Sequence, residues 1–194
     1  MRVNQCEHAV LVHLAQFVAT KLAQRFVSDT PPPALVDRAA ARFQASDGDL
    51  REVTRTILTS PEFLAPESYR AKVKTPFEFV VSAARAVGAD VQEALPLVRQ
   101  LQQLGMPLYQ CQPPTGYKDT ADAWVNTGAL VSRMNFALAL GGNKLRGVSV
   151  ASLPTADEVL VGDLSETTRA TIAKAGDAQQ MAALTLGSPE FQRR

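Results

Sequence analysis

His8 and His13 are the only imidazoles in this 194-residue chain. Five apart on a helix, they point about 140° away from one another, whereas two metal ligands on one helical face need a spacing of four. Cys6 and Cys111 are the only thiols, and a zinc site or a disulfide framework would want paired Cys or His at short spacing. A single bridge between Cys6 and Cys111 stays open, because sequence does not show whether two Cα atoms approach within disulfide range. Asp47, Asp49 and Glu52 gather at a helix start, where the macrodipole favours negative charge, and they lack the ligand order of an EF-hand loop. There is no Gly-rich phosphate loop after a strand and no Gly-x-Ser-x-Gly. Conventional hydrolase or nucleotide chemistry is therefore unsupported, and neither a cofactor nor a metal is expected.

One stretch is different in kind. Gly105 to Tyr117 holds three prolines, two glycines and two tyrosines in thirteen residues, a density of breakers that no regular helix survives. It runs into Trp124 and Asn126, with Arg133 and Asn135 further on among residues that look buried. Tyr109, Tyr117, Trp124, Asn126, Arg133 and Asn135 are the ligand-binding candidates, since a cleft combines apolar walls with a few fixed polar groups. The alternative is structural: the aromatics cover the core beneath the loop, while Arg133 and Asn135 hydrogen-bond its free carbonyls.

The elements that must position these residues read as helices. Val10, Leu14, Phe17, Val18, Leu22 and Phe26 recur at three- and four-residue steps, predicting an amphipathic helix over 9–27. Pro31 to Pro33 open the next, over 34–43, and Ser46 to Asp49 break the chain before a helix over 50–58 with Leu50, Val53, Ile57 and Leu58 on its buried face. Thr75 and Glu78 have capping-box spacing at the start of a helix over 76–87. Pro96 either kinks a helix over 91–104 or marks a shorter one starting near Leu95. Thr120 to Asp122 cap a long helix over 121–140, and two more follow over 164–174 and 178–186. Val148 to Val150 is a short extended run, and no strand signal of useful length appears. The fold class is all-α, an irregular multi-helix bundle with a Pro/Gly/Tyr-rich loop before a long helix. The expected organisation is a helical core over 1–142, a linker over 143–163 and a C-terminal helical segment over 164–194 packing on the same core.

The tetrapeptide Ser-Pro-Glu-Phe occurs at 60–63 and again at 188–191. Serine caps, proline fits the first turn, glutamate suits the positive helix end and phenylalanine anchors inward, so each copy reads as a hinge rather than a site. A formal charge of +1 without a basic face argues against a nucleic-acid footprint. No run approaches a membrane span, and the first residues lack the pattern of a signal peptide, so the chain as written is expected to stay cytoplasmic.

"KLAQRFVSDTPPPALVDRAAARF", "SDGDLREVTRTILTSPEF", "KVKTPFEFVVSAARAVGAD", "GMPLYQCQPPTGY" and "DAWVNTGALVSRMNFALAL" together resemble successive segments of the bacterial domain-of-unknown-function 1800 family, and the match extends over 17–194. The resemblance implies that this is the C-terminal part of a longer domain, that full-length relatives with an export signal are periplasmic or secreted, and that a sulfatase-like protein is a partner. It carries no catalytic motif. Where the family tends to have a His-Pro-Ala-Thr-like start, this chain has Leu11-Val12-His13-Leu14. A missing N-terminal half would leave surface uncovered, which predicts lower stability or self-association through apolar helix faces. The reading is a binding or scaffold module acting with a partner protein in the cell envelope; the alternative is the C-terminal part of an enzyme whose active site a missing N-terminal half completes.

Overall fold

Proline in the first turn opens many of the helices, because the N–H it lacks would have no intrahelical partner there. In the computed structural model, which describes residues 3–151 and 153–194 and side chains from residue 9 onward, this holds for the helices that begin at Pro33, Pro61, Pro76 and Leu95. The chain is all-α apart from one two-residue strand pair among the described residues, and it divides into two units, 1–72 and 73–194, each with its own apolar cluster. Among the described residues no helix is long and apolar enough to cross a membrane.

The first unit contains α1 (Val3–Phe26), α2 (Pro33–Ala45), α3 (Leu50–Leu58) and the single turn α4 (Pro61–Leu64). Its centre is Ala15, Ala19 and Ala23 of α1 packed against Leu35, Val36, Ala39, Val53 and Ile57. This corrects the expected stripe on α1: Val10, Leu14 and Phe17 are exposed, and the alanine row is buried instead. Small side chains at steps of four let neighbouring helices come close, and periodicity alone does not say which of two apolar rows will be used. On α3 only Val53 and Ile57 are buried, while Leu50 and Leu58 face outward. Asp49 caps α3 by accepting from the Arg51 N–H at 2.8 Å, and Glu52 is held by Arg42 and Arg55.

The second unit runs through α5 (Pro76–Ala86), β1 (Asp90–Val91), α6 (Leu95–Gln103), α7 (Ala121–Trp124), α8 (Thr127–Gly141), β2 (Val148–Ser149), α9 (Ala156–Leu160), α10 (Glu166–Ile172) and α11 (Ala178–Gly187). α6 starts at Leu95 with Pro96 in its first turn, the shorter of the two expected forms. The predicted helix over 121–140 is broken: Val125 and Asn126 are extended, and Asn126 caps α8 by accepting from the Ala129 N–H at 2.8 Å. β1 and β2 pair antiparallel, and the backbone of Gln92 and Glu93 donates to the Gly147 carbonyl beside them. Gly147 is required there, since its φ is +70° and a Cβ would sit 2.5 Å from that of Glu93. Phe79 of α5 meets Phe136 of α8 and Phe191 edge to face, with centroids 5.8 and 6.1 Å away, and Leu140, Leu160 and Leu186 complete the core.

Both copies of the repeated tetrapeptide are hinges. Ser60 Oγ accepts from the Phe63 N–H at 3.1 Å and Ser188 Oγ from the Phe191 N–H at 3.2 Å. Each glutamate then reaches to another element. Glu62 pairs with Arg38 of α2 at 2.6 Å, and Glu190 accepts from the Ser165 N–H and the Thr168 hydroxyl at the start of α10. Burial alone would raise the Glu190 carboxyl, but those hydrogen bonds outweigh it and hold the group below the usual carboxylate value. The phenylalanines differ in depth: Phe191 is buried among aromatics, while Phe63 is half-buried against the first unit's cluster. Phe191→Ala is expected to cost about 3–5 kcal/mol and Phe63→Ala clearly less, read from urea unfolding of the two variants. Equal costs would mean that the two copies anchor alike.

Candidate functional site

The irregular segment starts from a defined helix end. At the close of α6 the Gly105 N–H donates to the Gln102 carbonyl and the Met106 N–H to Leu101, with Gly105 at φ +84°, the paired bonds of a Schellman ending. Pro107 then turns the chain, and its carbonyl accepts from the Tyr117 hydroxyl at 2.6 Å, pulling the two ends of the loop together. Trp124 Nε1–H donates to the Lys118 carbonyl at 2.8 Å, and the Tyr117 and Trp124 rings lie 6.0 Å apart at a tilt of 59°. These bonds satisfy backbone acceptors that no regular ladder serves.

Between the loop and the start of α7 lies a cleft of about 410 Å³, walled by Pro107, Pro113, Tyr117 and Trp124, with Gln110, Cys111 and Lys118 on its lining. Two of the sequence candidates, Tyr117 and Trp124, therefore share it, and the polar atom of each is spent on the loop's own carbonyls. Tyr109 stands between Pro107 and Gln110 with its side chain fully exposed, on a backbone of φ +60°. A left-handed conformation is unusual for a bulky residue. Lys118 and the glutamines were not singled out in the sequence; the i,i+4 spacing of Lys118 and Asp122, 3.8 Å apart, was the available signal.

The other candidates lie elsewhere. Asn126 uses its side-chain oxygen as the cap of α8, and Asn135 is exposed on the same helix. Arg133 is 2% exposed and does not line the cleft. Its Nη1 donates to Gln192 Oε1 at 2.6 Å and its Nη2 to the Lys74 carbonyl at 2.7 Å, with the Phe79 ring 5.1 Å from the guanidinium carbon. Burial pushes its pKa down to about 10, which leaves it a cation at neutral pH. The Cys6 and His8 side chains lie outside the described residues, so the question of a Cys6–Cys111 bridge does too; Cys111 itself is a partly exposed thiol. Among the described residues no three His, Cys, Asp or Glu side chains gather closely enough to hold a metal ion.

A family model described as "Protein of unknown function (DUF1800)" matches residues 9–193. No curated protein and no solved structure matches the chain.

Arg133→Met is expected to leave the Lys74 carbonyl and the Gln192 amide oxygen without their donor, at about 2–4 kcal/mol in urea unfolding. A loss under 1 kcal/mol would mean that those acceptors find other donors. For Tyr117, burial and then the nearby Cys111 thiol raise the phenol above its ordinary value. The folded state holds that proton more tightly, so the contribution to stability is present below pH ~10 and lost as pH rises through the folded value. A difference titration at 295 nm between the parent and Tyr117→Phe should therefore have its midpoint above pH ~10.

Proposed function

The chain belongs to the DUF1800 family, whose description assigns no activity, and on that premise we propose that it is a non-catalytic helical binding module that captures a partner protein at the cleft beside 105–118. The observation that carries this reading is Tyr109, a fully exposed ring on a left-handed backbone, in a loop whose Pro107 and Gln110 line a 410 Å³ cleft that Tyr109 itself does not line. Tyrosine and tryptophan supply large contact area at low entropic cost and dominate protein interfaces. The loop's internal bonds fix the walls in advance, which lowers the ordering cost that a partner would otherwise meet. The cleft offers aromatic edges, prolines and amides, a surface suited to a protruding protein segment.

The partner in this reading is the sulfatase-like protein that the family resemblance implies, and the setting is the cell envelope. The competing reading, part of an enzyme with Arg133 orienting an anionic ligand, gains nothing from a guanidinium whose two Nη atoms are already bonded to Gln192 and Lys74. Calorimetric titration of the chain with the purified sulfatase-like protein tests the proposal. Tyr109→Ala should weaken binding about tenfold or more with an unchanged circular dichroism spectrum, while Tyr69→Ala, another exposed tyrosine in the first unit, should leave it unaltered. No binding, or equal effects of the two variants, would overturn it.

A further inference from the structure

A guanidinium stands between two carboxylates where the irregular segment ends. Arg194 Nη2 donates to Asp119 Oδ1 at 3.1 Å, and Arg194 Nε lies 3.1 Å from Glu78 Oε2. All three side chains are largely but not wholly buried, so water screens them only in part. Two members of this triad sit on chain that is held elsewhere. Glu78 belongs to the first turn of α5, where the same Oε2 accepts from the Thr75 N–H at 2.9 Å and from the Thr75 hydroxyl at 3.0 Å. Arg194 follows Gln192, which meets the buried Arg133, and Arg193, which bridges to Val73. The third member, Asp119, lies on irregular chain behind a loop whose backbone closes single turns, from the Gln110 N–H to Pro107 at 3.4 Å and from the Gly116 N–H to Pro113 at 3.0 Å. Of the three, the loop carboxylate is the one whose own backbone holds it least.

We propose that Arg194 is a releasable latch that sets whether the cleft beside 105–118 is formed. With the guanidinium in place, one cation answers two anions and residue 119 is held against the start of α5. With the cation withdrawn, two carboxylates within reach of the same group face each other and repel. The loop carboxylate then moves off α5, and Lys118, which precedes it on the cleft lining, moves with it. The latch thereby regulates the binding site, and for that consequence it rests on the reading of the cleft as the place of partner capture. Ionic strength is its control, because partly exposed pairs weaken as the Debye length shrinks from ~10 Å at 0.1 M salt to ~3 Å at 1 M. Capture at the cleft is therefore strongest at low salt even when the captured segment carries no charge.

Amide hydrogen exchange of the whole chain, read in peptides from 105–119, α5, α8 and α1, tests the latch without any partner present. Arg194→Ala should speed exchange in 105–119 about tenfold while α5, α8 and α1 change by less than about twofold. Asp119→Ala should do the same, and the double variant should be no faster than either single one, since all three break one interaction. Salt raised from ~0.1 M to ~1 M should speed the same peptides in the parent and leave Arg194→Ala nearly unmoved. Unchanged exchange in 105–119, additive effects of the two substitutions, an equal salt response in parent and variant, or a rise spread evenly over the second unit would overturn the proposal. Titration with the purified sulfatase-like protein then reads the regulation: Arg194→Ala should bind about tenfold more weakly than the parent. Equal binding by a variant with a loosened loop would overturn the regulatory role. A parent that binds nothing would instead sink the reading of the cleft as a partner site, while the exchange data still decide the latch.

Discussion

A guanidinium buried without a carboxylate is the constraint around which the second unit is arranged. Arg133 sits at 2% exposure on α8, and a charge taken out of water must be met by hydrogen bonds or it will not stay there. Its acceptors come from opposite ends of the unit, the Lys74 carbonyl before α5 and the Gln192 side chain after α11, each 59 residues away. Gln192 in turn donates to the Leu186 carbonyl at 2.9 Å, and its own carbonyl accepts from the Lys74 N–H at 2.8 Å. Val73 and Arg193 form a backbone bridge beside this pair. One cation thus fixes the two ends of the second unit against a helix in its middle. Its Nε finds no acceptor, and the Phe79 ring supplies the compensation that an aromatic face gives a cation.

The repeated tetrapeptide acquires its meaning from that arrangement. At 188–191 the serine cap turns the chain just after α11, which drops Phe191 onto Phe79 and brings Gln192 to Arg133. The Lys74 ammonium lies 3.7 Å from the Phe191 ring centroid, so the same segment contributes a second cation-aromatic contact. At 60–63 the cap is the same, but Phe63 stays half-buried. Identical local chemistry therefore makes a surface turn in one unit and a core closure in the other. Tertiary surroundings, not the tetrapeptide, decide how much each copy stabilises.

Much of the helical punctuation was legible because capping is a local interaction. Thr75 with Glu78, and Asp49, bond where their spacing says they should. What was not legible depends on distance. Trp124 to Leu140 reads as one apolar run, but the Asn126 cap divides it, and the Arg133 acceptors are too remote in sequence to be inferred. The two apolar rows of α1 were equivalent to any periodicity argument. The alanine row lies in the interior because small side chains permit close helix approach, which leaves the larger residues outside. Within the candidate site, aromatic and proline content marked the irregular loop, while the direction of each side chain depended on which carbonyls lacked donors.

The loop's order is coupled to the same closure. Asp119, at its end, pairs with Arg194 Nη2 at 3.1 Å, and Arg194 Nε pairs with Glu78 at 3.1 Å. Glu78 is also the reciprocal partner in the Thr75 capping box, accepting from the Thr75 N–H at 2.9 Å. These pairs are only partly exposed, so they are screened less than surface ion pairs would be. The last residue of the chain therefore links the start of α5 to the base of the 105–119 segment, two residues beyond the glutamine that satisfies Arg133. An irregular loop with few backbone bonds of its own needs such support, because ordering it costs free energy that its short internal contacts offset only in part. The segment that carries Gln192 to Arg133 thus also carries Arg194 to Asp119, next to Lys118 on the cleft lining.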